Sequence, residues 1–160
     1  MTDVTDEIAG LAPGTKVASL RRERADILAD TQGAYDALFH PADPGNLSAR
    51  ERLAMGLSVA RLEHDHVLAA HFRAKLSDAP DLVAVAEGRA VTADPRLAVL
   101  MRHAELVTKA ADQAGGAHLA SLRAQGFETR DIVAATQLVA FVTFHIRVLA
   151  GLRLLQEEAA

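Results

Sequence analysis

The chain has no cysteine and no tryptophan, one tyrosine, five phenylalanines and five prolines among its 160 residues. Without cysteine there is no disulfide, no thiolate metal ligand and no thiol nucleophile, so mechanisms that pass through a sulfenate or a dithiol are excluded outright. A formal net charge of −4 with no run of lysines or arginines lacks the basic footprint that a phosphate backbone requires, and nucleic acid is not an expected partner. The N-terminal "MTDVTDEIAGLAPG" is acidic and lacks the charged-then-apolar order of a secretory signal, which points to a cytoplasmic protein. The most apolar run, Ile132 to Leu155, is long enough to span a bilayer but is interrupted by Gln137, His145, Arg147 and Arg153. It reads as a buried core helix, so no membrane partner is expected.

What is abundant is alanine and leucine, with few turn clusters, and the reading is all-α, one domain over residues 1–160. A first helix is predicted from about Ser19 to Phe39, ending before "HPADPGN". Ser48 and Glu51 in "SARE" form a capping box that starts a second helix continuing to about Leu76. A short helix follows near Asp81 to Glu87. Asp94 then caps a helix with Pro95 in its first turn, running to "DQAGG". Another spans His118 to Gln125, closed by Gly126, and the apolar helix runs from about Arg130 to Glu157. Five to seven helices around one core are expected. "LSARERLA" from Leu47 and "FETRDIVA" from Phe127 echo one another eighty positions apart, the pattern of a duplicated helical hairpin.

The stretch "LEHDHVLAAH", Leu62 to His71, concentrates three of the seven histidines and two carboxylates. On an unbroken helix His64 and His71 fall within about 40° of the apolar line of Leu53, Leu57, Ala60 and Leu68, which makes both buried. They stand about 10 Å apart, too far to chelate one ion. Glu63 and His66 have the Glu-x-x-His spacing of carboxylate-bridged di-iron bundles, but no second such pair exists, so a metal site would need ligands from other subunits. A histidine on an apolar stripe is also commonly a core residue satisfied by a neighbour. His40, His103 and His118 read as surface or turn residues. His145 and Arg147 interrupt the most apolar helix and call for partners across the core or a subunit interface.

The blocks "LSARERLAMGLSVARLEHDHVLAAH" and "LRAQGFETRDIVAATQLVAFVTFHIRVLAGL", with "RLAVLMRHAELVTKAA" between them, resemble the alkylhydroperoxidase D-like family, which includes carboxymuconolactone decarboxylase. The resemblance divides the chain into an N-terminal helical extension, residues 1–46, and a family core, residues 47–157. The peroxidase members carry Cys-x-x-Cys with a histidine four residues after the second cysteine and a glutamate upstream. With that histidine at His71, the cysteine positions fall on His64 and Val67, and Glu51 lies one residue out of register with the upstream acid.

Thiol peroxidase chemistry is therefore excluded. The resemblance implies instead acid/base chemistry on a small organic acid or lactone, with no cofactor. His71 and His64 are the proton-transfer candidates, Glu51 and Glu63 the orienting groups, and Arg61, Arg123 and Arg147 the candidate carboxylate contacts. It also implies a homo-oligomer, trimer, hexamer or dimer. Two other readings stay open: a non-catalytic partner of a cysteine-containing alkylhydroperoxidase relative, and helical metal binding through Glu63 and His66.

Overall fold

The computed structural model describes residues 3–158; the termini of the expected 1–160 domain lie outside that span. Among the described residues there are nine α-helices and no strand: α1 (Val4–Ala9), α2 (Lys16–Arg22), α3 (Ala25–Phe39), α4 (Ala49–Leu62), α5 (His66–Lys75), α6 (Pro80–Ala86), α7 (Pro95–Lys109), α8 (Gly116–Ala124) and α9 (Thr129–Glu158). The all-α expectation holds, and two helix breaks account for part of the larger count. The helix expected from Ser19 to Phe39 is two, α2 and α3, parted at Glu23 and Arg24. Helix α1 was not foreseen; it is only six residues long, capped by the Asp3 side chain and ended by Gly10 at φ 65°.

The capping box at Ser48 forms as read, with the Glu51 amide donating to Ser48 Oγ and the Ser48 amide donating to Glu51 Oε2. The helix it opens, however, ends at Leu62 instead of Leu76. His64 adopts φ 59°; its amide donates to Arg61 O and that of Asp65 to Ala60 O, a Schellman closure in which histidine occupies the left-handed position usually given to glycine. Asp65 restarts the chain as N-cap of α5, accepting the Leu68 amide at 2.8 Å and Arg153 at 2.8 Å. Burial pushes the Asp65 carboxyl up, but Arg153 and the amides outweigh it and hold the carboxyl below its usual range. Lys109 Nζ satisfies the orphan carbonyl of Leu62.

The core is built around α4 and α9. Leu57, Met55, Leu100, Leu138 and Leu149 are fully buried between α4, α7 and α9, and Phe72 of α5 lies so close to Gly56 that a Cβ there would come within 3.0 Å of its ring. Arg52, which nothing in its own segment marks as buried, donates to the carbonyls of Leu38, Pro44 and Leu47 and so pins the loop before α4. The internal echo is realised at the helix entries only: the Glu128 amide donates to Asp131 as the Ser48 amide does to Glu51, but α9 runs unbroken for 30 residues where α4 gives way to α5.

Helix α9 has the length and hydropathy to cross a bilayer, yet Leu138, Val142, His145 and Leu149 turn inward on the protein core.

Candidate functional site

The break at His64 rearranges the histidine cluster. His64 is exposed in the turn, not buried on a stripe, because the left-handed residue swings its side chain off the α4 register. Glu63 is the C-cap of α4 and His66 the first residue of α5, so the i,i+3 spacing behind the metal reading does not exist on one helix. Among the described residues no group of three or more His, Asp or Glu side chains converges to hold a metal ion. Glu51 lies at the far end of α4, about 20 Å along the helix from His64. There it accepts from Arg96 at 2.7 Å, while Arg96 also donates to Gln125 O and stacks on Phe127. It is a structural anchor, not a group that orients His71.

Of the four acid/base candidates, His71 faces a cavity. The space, of about 970 Å³ and open to solvent, lies between α1, α3 and α5, with Val4, Leu28 and Ala29 on its apolar wall and Glu7, Tyr35 and Lys75 among its polar groups. His71 Nε2 stands 3.0 Å from Tyr35 Oη. Burial, reinforced by the Lys75 charge one helical turn away and opposed by Glu7, lowers the His71 pKa; the ring is neutral at pH 7. Burial, with Glu7 and Asp36 adding to it, raises the Tyr35 pKa, so the phenol keeps its proton.

Tyr35 was missed by the sequence reading. Its one signal was that it is the sole tyrosine, placed one turn before Phe39 on α3; nothing in the sequence brings it to His71. It belongs to an aromatic cluster, with Phe39 at 4.8 Å and Phe141 at 6.4 Å between ring centres.

Behind this cluster lies His145, 1% exposed, its Nε2 3.0 Å from Thr5 Oγ1 of α1. The partner expected for it is thus within the chain, while Arg147 is exposed and donates to its own helix at Thr143 O. Burial, with like-charge effects from His71 and Arg21, brings the His145 pKa down to about 4. His103, expected at the surface, is buried; His40 is exposed at the end of α3. Thr136 donates its only hydroxyl hydrogen to Ile132 O, so at 3.0 Å it accepts from His103 Nε2, leaving His103 Nδ1 to accept from His118 Nε2 at 2.9 Å. The ring planes are 8° apart with centroids at 5.2 Å, a spacing that fits rings meeting edge to edge along this bond.

None of the three candidate arginines lines the cavity. Arg61 lies over Gly88 beside a cleft of about 240 Å³, and Arg123 and Arg147 are exposed.

No family model matches the chain, and no curated protein matches it. Among solved structures it is similar to an uncharacterized peroxidase-related protein from Silicibacter sp. TM1040, with a TM-score of 0.71 and 26% sequence identity over 80% of this chain and 69% of that one. The chain thus has the helical fold of a peroxidase-related protein, with no thiol at any position.

Proposed function

We propose that the chain is a cysteine-less relative of the alkylhydroperoxidase D-like and carboxymuconolactone decarboxylase proteins that binds a small organic acid or lactone in the His71 cavity and acts on it by general acid/base chemistry. The observation that carries this reading is the His71–Tyr35 pair at the wall of a solvent-open, mostly apolar cavity. A neutral imidazole accepts a proton at pH 7. Tyr35, protonated and accepting from His71 Nε2–H, donates its one hydroxyl hydrogen to the substrate oxygen on which charge develops, so the nitrogen that takes the proton is His71 Nδ1; Lys75 stands at the rim for a carboxylate. No step uses sulfur or calls for a cofactor.

The test is an imidazole-resolved NMR titration with carboxylate-bearing lactones and short dicarboxylic acids, followed by turnover assays on any compound that binds. Binding is expected to move the His71 ring resonances, His71→Gln to lower turnover by about 10²-fold or more, and Tyr35→Phe to lower it less. Lack of any shift at His71, or turnover indifferent to both substitutions, would overturn the reading and favour a non-catalytic role for the fold.

A further inference from the structure

Ser58 is 3% exposed in the middle of α4, yet its hydroxyl forms no hydrogen bond among the described residues. Thr108, Ser121, Thr136 and Thr143, also within helices, each donate to the carbonyl four positions back. Among the described residues no sealed-off side-chain nitrogen or oxygen is left without a partner, so the Ser58 oxygen opens on the cleft of about 240 Å³ that it lines between α4, α6 and α7.

Arg61, one turn on from Ser58, and Glu105 of α7 line the same cleft, and neither forms an ion pair with the other or with any other described residue. Their charged neighbours are engaged: Arg73 and Arg89 both pair with Glu87, and Lys109 Nζ donates to Leu62 O. Gly88 stands at φ 70°, and a Cβ built there would meet Arg61 Cζ at 3.4 Å, so the exposed guanidinium lies against the backbone that follows α6. Val85, Ala98 and Met101 give the cleft an apolar wall.

We infer that this cleft binds a free aliphatic α-amino acid as its zwitterion. Two opposite charges that face one cavity without neutralising each other suit a ligand that carries both. A simple anion would meet the Glu105 carboxylate, and a simple amine the Arg61 guanidinium. Arg61 takes the ligand carboxylate, Ser58 Oγ donates to one of its oxygens, and Glu105 takes the ammonium. The ligand side chain rests on Val85 and on Met101, whose unbranched thioether adapts to its shape. At ~30 Å³ per water the volume equals about eight waters, enough for a leucine-sized molecule and too little for a peptide or a nucleotide. No residue of this cleft lines the His71 cavity, so the inference stands apart from the acid/base reading.

The probe is L-leucine, titrated into the unmodified chain by calorimetry and followed by amide and methyl NMR. It is expected to bind with a Kd of about 1 mM or tighter, and isocaproate and isoamylamine, which keep its side chain and one charge each, at least about tenfold more weakly. The shifted resonances are expected at the Gly88 amide and the Met101 methyl, not at the His71 ring. Arg61→Gln and Glu105→Gln, both at exposed positions, are each expected to weaken leucine binding at least about tenfold with unchanged helicity, while Glu105→Gln strengthens the binding of isocaproate. No binding at about 10 mM leucine, equal affinity for isocaproate or isoamylamine, leucine affinity unchanged in both variants, or shifts centred on His71 would overturn the proposal.

Discussion

His145 is held 3.0 Å from Thr5 and His103 lies between Thr136 and His118, and burial brings both rings down to a pKa of about 4. Their unfolded value is near 6.5, so between the two the unfolded chain binds protons that the folded chain refuses. Both contribute stability that is complete above pH 6.5 and lost as pH falls toward 4. A shift of that size is worth on the order of 3 kcal/mol per buried residue, and His71 and His118, also lowered, act in the same direction. Urea unfolding at pH 7 and pH 4.5 is expected to show a loss of several kcal/mol, with the slope reduced by one proton in His145→Gln. A stability unchanged across that window would show that these rings are not held neutral by the fold. Neither partnership could be read from the sequence, because Thr5 and His145 are 140 positions apart.

At the scale of the element, the turn at Glu63 to Asp65 decides how the histidine cluster is laid out. A side chain with a Cβ at φ 59° is strained by roughly 1 kcal/mol, which glycine would relieve. His64→Gly is therefore expected to keep the fold and raise the unfolding free energy by up to about 1 kcal/mol, measured by denaturant titration. A fall in stability would mean that the imidazole makes a contact worth more than the strain. Two helix starts and one stop were legible because capping residues act within one turn: Ser48 and Asp94 open α4 and α7, and Gly126 closes α8. The stop at Leu62 was not, since no glycine or proline marks it and the Asp65 cap is completed by Arg153, 88 positions away.

At the scale of the whole molecule, α9 leaves Val133, Phe144 and Leu154 exposed on the side away from the core, and any self-association would be linked to folding. If a folded dimer unfolds to separate chains, each tenfold rise in concentration adds about 1.4 kcal/mol of dimer, or about 0.7 kcal/mol per chain, equivalent to roughly 1.5–3 °C in the midpoint for a chain of this size. Calorimetry over two decades of concentration is expected to show that rise in a self-associating chain. A midpoint independent of concentration would count against a folded dimer linked to unfolding. The same helix supplies the inward His145 and the outward Phe144.

The sequence by itself determined the helical class, most of the helix starts, the core role of α9 and the exclusion of thiol chemistry. These follow from composition and from forces that act over a few residues. Only the tertiary structure decided that α9 buries just one of its sides, that His64 turns to solvent, that Glu51 anchors Arg96, and that His71 finds Tyr35 across 36 positions of chain. A site is made where distant segments meet, and the burial that tunes its protons exists only once they have packed.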